Sequence, residues 1–276
     1  PPAHVGVVGF KPTFGAVPSG PGFAEPVASI GVICPITRTV DDAALVFEIL
    51  AGFDPRDPDT SAPLMPAESG PLRIAYSPRF GLDAPVDDDV AEAVESAVAL
   101  LGEAGATVVR RDPVWPDGVT ESSLMPLQHA GLAAIHGEAF RRDPGLFDPD
   151  IAVQIERGLS LTGAEVSAAL LLSAELARRA GEPFADADLL VGPTVPCVAW
   201  PLDRLGPETI RGVPVAPRAH AIFTPLFNHA KVPAISIPCG RGRAGLPVGI
   251  QIVGPRGHDR RVLAFAAFAE AVLAYA

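Results

Sequence analysis

The stretch from Gly6 to Gly15, GVVGFKPTFG, constrains the folding of this chain more than any other. Glycines bracket Val7 and Val8, Phe10 follows, and Lys11-Pro12-Thr13 turns the chain. That pattern predicts a short buried strand running into a fixed turn. Glycines at such places serve positive φ or close backbone approach, so the segment is expected to be a rigid platform beside something else. From Ala16 to Pro35 the residues Pro18, Gly20, Pro21, Gly22 and Pro26 block regular structure. An irregular loop of the kind that borders sites is expected there.

Further along, periodicity predicts alternating elements. Thr39 is an N-cap candidate, with Asp41 and Asp42 in the first turn of a helix that runs to Gly52. Arg38 and Asp42 are expected to serve cap and ion-pair chemistry. Residues 56 to 70 are rich in Pro, Asp and Ser and read as a solvent loop. Arg73 to Tyr76 reads as a strand, Asp87 to Glu103 as an amphipathic helix with Val90, Val94, Val98 and Leu101 on one face, and Thr107 to Val109 as a strand. The acidic run Asp87-Asp88-Asp89 is a helix start and not a metal site. Residues 121 to 180 are expected to be mostly helical, with a break near 141 to 149. A strand is predicted at Asp188 to Val191, and two more at Ala234 to Pro238 and Val248 to Val253. The fold class that follows is α/β, a twisted mixed β-sheet covered by helices on both faces.

Composition narrows the function. A formal charge of -11, with Lys11 and Lys231 the sole lysines, argues against nucleic acid, whose phosphates need clustered basic groups. No apolar run reaches the ~18 residues of a membrane-spanning helix, so no membrane partner is expected and a cytoplasmic location is the default. Cys34, Cys197 and Cys239 are dispersed, each beside a proline, and read as small buried side chains without a disulfide or metal role. His129 and His136 lie two helical turns apart on one face, yet no carboxylate or cysteine at useful spacing completes a metal set. Neither a metal nor a cofactor is expected.

Several stretches carry a family resemblance. GVVGFKPTFGAVPSG resembles the GxxGxKPTxGxVSxxG segment of the amidase signature family, and CPITRTVDDAALVFEILAGFDPRDPDT is similar to its GPMxRTVxDAALxLxxxAGxDPxDxxS segment, with Cys34 in place of a glycine. ADLLVGPTVPCVAW and the block from Phe223 onward, with GLPVGIQIVG, match its later segments. The resemblance spans nearly the whole chain. It implies that residues 1 to 276 are the C-terminal portion of a single amidase signature domain, incomplete at the N-terminal side.

What the resemblance implies about chemistry is hydrolysis or transfer of amides. The family uses a serine nucleophile, a second serine in a cis conformation and a lysine that takes the proton, with backbone N–H groups as the oxyanion hole. All of these are expected upstream of Pro1, so no catalytic residue is assigned and the chain alone is expected to be inactive. Ser19, Ser29, Ser77, Ser122, Ser123, Ser160, Ser167, Ser173 and Ser236 form no GxSxG elbow or SxxK pair, and Lys11 with Ser19 or Ser29 is rejected as a dyad. The resemblance places Ile222, Phe223, Thr224, Phe227 and Asn228 as candidate substrate-binding residues, with core packing the competing role for Phe223 and Phe227. His220-Ala221 stands where the family's glutamine-using glutamyl-tRNA amidotransferases carry an aspartate for the glutamine ammonium. A small-molecule amide is therefore the expected partner, in a general amidase that is cytoplasmic and admits a homodimer. A noncatalytic remnant or binding module, and a protein like the glutamine-using subunit of glutamyl-tRNA(Gln) amidotransferase, are the alternatives.

Overall fold

A computed structural model describes residues 2–19, 25–27, 30–60, 64–66, 72–120 and 122–274. Its centre is a seven-stranded mixed sheet. The strands are β1 (Val8–Lys11), β2 (Ile36–Thr37), β3 (Arg73–Tyr76), β4 (Thr107–Arg110), β5 (Leu189–Pro193), β8 (Ala234–Arg241) and β9 (Pro247–Val253). They lie side by side in the order β2-β1-β8-β9-β5-β3-β4. A separate two-stranded ribbon joins β6 (Thr209–Ile210) to β7 (Val213–Pro214). The pairs β2/β1, β1/β8, β8/β9 and β9/β5 are antiparallel, whereas β5/β3 and β3/β4 are parallel. The parallel pair β3/β4 needs a crossover, and helix α3 (Asp88–Glu103) supplies it. The first motif is a strand ending in a turn, as its sequence predicts, and it sits second from one edge of the sheet.

Because side chains alternate along a strand, register assigns each residue to a face. Phe10, Ile235, Ile252, Val191 and Tyr76 lie opposite one another across β1, β8, β9, β5 and β3. This apolar face is buried by α2 (Val40–Leu50), α3 and α8 (Asp259–Leu273). Phe47 of α2 meets Phe10 edge to face at 5.3 Å between ring centres, and both are fully buried. Each such ring stabilises the fold by ~2–3 kcal/mol.

The opposite face is of another character. One residue further along each strand, Gly9, Ser236, Gln251 and Gly192 form a row across β1, β8, β9 and β5. Helix α1 (Pro2–Val5) lies on this face because glycines let it approach: a Cβ on Gly9 would fall 2.3 Å from the Pro2 ring, and one on Gly249 would fall 2.7 Å from Ala3 Cβ. Helices therefore cover both faces, as expected, but only one face is a conventional apolar core.

Local signals explain most element ends. Thr39 Oγ1 accepts from the Asp42 N–H at 3.2 Å and opens α2. The cap forms as expected, but among the described residues no ion pair joins Arg38 to Asp42. The helical middle comprises α4 (Met125–Arg142), α5 (Pro149–Ser160) and α6 (Gly163–Arg179), the last opened by a reciprocal pair of bonds between Thr162 and Glu165. No single helix among the described residues is long and apolar enough to cross a membrane.

A buried polar seam ties the first motif to the last helix. The Thr13 N–H donates to Asp259 Oδ1 at 2.7 Å, and Thr13 Oγ1 donates to Oδ2 at 2.6 Å. The same hydroxyl oxygen accepts from the Gly257 N–H at 2.9 Å. Asp259 is the first residue of α8, where the positive end of the helix favours a carboxylate. Burial pushes its carboxyl above the ordinary value, against the opposing pull of the Thr13 bonds and of Lys11.

Candidate functional site

Three of the four residues of this row, all but Gly192, form the floor of an open cleft of about 760 Å³. Gly9, Ser236 and Gln251 line it from the sheet, and Pro2, His4 and Val5 from α1. Thr194 and Trp200 follow β5, while Thr224, Phe227 and Asn228 belong to the short helix α7 (Thr224–His229). A larger groove of about 960 Å³ lies elsewhere, between Tyr76, Arg79, Asp112, Trp115 and Arg211. The smaller cleft is the better candidate because the sheet meets it with glycines and uncharged polar side chains instead of a packed apolar surface.

Each polar group in the cleft has a traceable position. Ser236 Oγ and Thr194 Oγ1 are 2.7 Å apart and buried, a side-chain bond between β8 and the end of β5. Lys11 Nζ is held by the carbonyls of Pro12, at 3.1 Å, and Val232. Burial lowers its ammonium to about 8, with Asp259 opposing the shift. Among the described residues no serine is hydrogen-bonded to it. Ser19 bonds through its N–H to Asp57, and Ser29 lies outside the described residues.

Aromatic side chains form one wall. His4 and Trp200 meet edge to face at 5.1 Å between ring centres, and Trp200 and His220 lie 4.6 Å apart. His4 Nε2 is 3.3 Å from the Cys197 carbonyl, Trp200 Nε1 donates to the Arg204 carbonyl at 3.0 Å, and His220 Nδ1 is 2.8 Å from the Pro217 carbonyl. Burial pushes the His4 imidazole below its ordinary value. No Asp or Glu among the described residues lines the cleft.

The five residues named from sequence divide. Thr224, Phe227 and Asn228 line the cleft, whereas Ile222 and Phe223 do not. Phe223 is fully buried against Phe80, with ring centres 5.5 Å apart, and Ile222 packs at the margin of the core. Phe227 does both, since it also touches Phe80 and Trp115. Sequence alone does not single out His4, Ser236 or Gln251 as cleft residues; the register of the sheet sets Ser236 beside Gln251, while Thr194 and Trp200, in the stretch that resembles a cleft-bordering family segment, join them from the end of β5.

Other candidates fall away on geometry. Ser173 Oγ lies 2.8 Å from His229 Nδ1, but the pair joins α6 to α7 away from the cleft, and burial lowers the imidazole to about 4. His129 packs where α4 meets α5 and His136 lies beside Phe147, so neither reaches the cleft. Among the described residues no group of three metal-ligating side chains occurs. Cys197 and Cys239 have thiols pushed up to about 12 by burial. Cys34 departs from expectation: it is exposed, at the margin of the cleft. It replaces a glycine of the family pattern in a loop without regular structure.

Comparison with known proteins identifies the family. The family model described as Amidase matches residues 1–263. An acylamidase of Rhodococcus erythropolis is 32% identical, covering 100% of this chain and 59% of that protein. A glutamyl-tRNA(Gln) amidotransferase subunit of Anaeromyxobacter sp. (strain K) is 34% identical, covering 92% of the chain and 56% of that protein. Among solved structures, a bacterial aryl acylamidase superposes with a TM-score of 0.82 at 26% identity, covering 98% of this chain and 59% of that one. A further amidase gives 0.85 at 28% identity, covering 99% and 59%. The chain thus spans about three fifths of the length of the relatives it matches. On the strength of the family match over residues 1–263 and these relatives, the chain belongs to the amidase signature family.

Proposed function

We propose that this chain is the substrate-facing, C-terminal portion of a single amidase signature domain, and that the protein to which it contributes hydrolyses a small, weakly polar amide. The observation that carries this reading is the cleft: an apolar and aromatic enclosure above a row of glycine and uncharged polar groups, with no carboxylate on its described walls. Thr224, Phe227 and Asn228 contact the bound amide, and Ile222 and Phe223 support that wall from behind. A ligand ammonium finds no ionic partner there, which favours a general amidase over a glutamine-using tRNA amidotransferase. The noncatalytic binding module is the competing reading.

The serine nucleophile, the second serine and the proton-accepting lysine belong, on this reading, to polypeptide outside these residues. Lys11 is unsuited to that lysine's role because two main-chain carbonyls occupy its ammonium. A cytoplasmic location and a homodimer complete the proposal, and light scattering of the purified chain checks the latter. The chemical claim is tested with 4-nitroacetanilide and benzamide. The chain alone should release no 4-nitroaniline, while benzamide should change the tryptophan fluorescence saturably through Trp200. Release of 4-nitroaniline would overturn the assignment of the catalytic groups, and an unresponsive tryptophan would overturn the cleft.

A further inference from the structure

Gln251 stands out among the polar groups of the cleft. It is 4% exposed, it faces the cleft from the centre of the sheet, and its Nε2 is fully buried without a hydrogen-bond partner. The Thr194 and Ser236 hydroxyls share one hydrogen bond, and Trp200 and Lys11 donate to main-chain carbonyls. Asn228 is half-buried at the rim, where water reaches it. An unpaired buried N–H donor costs ~1–3 kcal/mol and is rare in folded proteins, so its position at the cleft calls for a functional explanation.

We propose that Gln251 is the specificity residue of the cleft, its carboxamide donating a hydrogen bond to the carbonyl oxygen of a bound amide. The inference rests on the reading that the cleft takes an amide, and it deepens that reading by naming the group that recognises one. The row supports the assignment. Gly9 and Gly192 flank Ser236 and Gln251 in register, and the Pro2 ring and Phe80 pack over these two glycines, which leaves Ser236 and Gln251 as the side chains the row itself contributes. The Thr194–Ser236 pair sits opposite Gln251 and stiffens the floor beside it. Phe227 and Trp200 then supply apolar walls for the remainder of the ligand. A carboxamide also accepts, so a primary amide satisfies both of its edges at once, whereas an ester or ketone satisfies only the donor.

The chain's composition makes the test direct. It contains three glutamines, Gln128, Gln154 and Gln251, and one asparagine, Asn228, so a nitrogen-15 spectrum holds only four side-chain amide pairs. The pair lost in Gln251→Leu identifies Gln251. Titration of the full chain with benzamide should move that pair downfield together with the indole signal of Trp200. In Gln251→Leu, whose melting temperature is recorded alongside, benzamide should bind roughly tenfold more weakly, the ratio that one neutral hydrogen bond of ~1.4 kcal/mol corresponds to. A saturable shift of Trp200 with Gln251 unmoved would overturn the inference and leave the cleft reading intact; it would mean that the carboxamide serves a main-chain carbonyl of further polypeptide. Unchanged affinity in Gln251→Leu would also overturn the inference. No response from either residue would overturn the cleft reading itself, and the inference with it.

Discussion

Replacing Thr13 by valine keeps the shape of the side chain and removes its hydroxyl, which isolates the polar seam between the first motif and α8. Thr13 and Asp259 are both fully buried. The substitution preserves the bond from the Thr13 N–H to Asp259 and breaks two others: the hydroxyl's donation to Oδ2 at 2.6 Å, and its acceptance from the Gly257 N–H at 2.9 Å. One carboxylate oxygen and one main-chain N–H are then left without partners in a site closed to water. Each orphaned group costs ~1–3 kcal/mol, with the carboxylate at the upper end, so Thr13→Val should destabilise the chain by about 3–5 kcal/mol. That is a large share of the ~5–15 kcal/mol by which a domain is stable. Urea unfolding followed by circular dichroism reads it directly: the midpoint falls while the slope with denaturant stays fixed. Thr13→Ser keeps the hydroxyl, loses one methyl group, and should cost only ~1 kcal/mol. A loss below ~1 kcal/mol for Thr13→Val would refute the reasoning, because the hydroxyl would then not be what satisfies Asp259.

Three further outcomes follow from the same kind of accounting. His229 is buried with its imidazole lowered to about 4, so the unfolded chain protonates near 6.5 and the folded chain only near 4. Its stabilising contribution is complete above ~6.5 and is lost as pH falls through that window; by pH 5 wild type should lose ~2 kcal/mol more than His229→Asn, and equal losses in denaturant titrations would contradict this. Gly192→Ala should cost ~1–3 kcal/mol, since its Cβ would fall 2.4 Å from the Ser77 carbonyl, which β5 holds through the Ser77 N–H bond to Val191. An unchanged melting temperature would count against the described packing at that end of the row. Finally, Lys11 should titrate at about 8, read from the carbon-13 dimethyl signal that disappears in Lys11→Arg; a signal fixed from pH 7 to 9 would be inconsistent with its burial.

What the sequence disclosed was what neighbouring residues decide among themselves. Thr39 and the two aspartates after it fix the start of α2 within four positions. The alternation in β8 and β9 marks the central hairpin, and Gly6 to Lys11 announces a strand that accepts close packing. The cleft is a different matter, because it is assembled by register. His4 reaches the Cys197 carbonyl across 193 positions, and Gln251 meets Ser236 and Gly192 only once three strands are aligned. Alternation along β8 leaves Ser236 either outward or hydrogen-bonded, and only the aligned strands bring it to the Thr194 hydroxyl. Phe223 and Phe227 stand four apart on neighbouring turns, and which of the two faces the cleft depends on Phe80, some 140 residues earlier in sequence.

The central claim is that the glycine and polar row between Trp200 and Phe227 is where an amide binds. Crystals of the chain soaked in benzamide test it most directly. The account predicts difference density over Ser236 and Gln251, with the amide oxygen within hydrogen-bond distance of the Gln251 carboxamide. Ordered benzamide in the groove between Arg79, Asp112 and Trp115, with the row left empty, would contradict it.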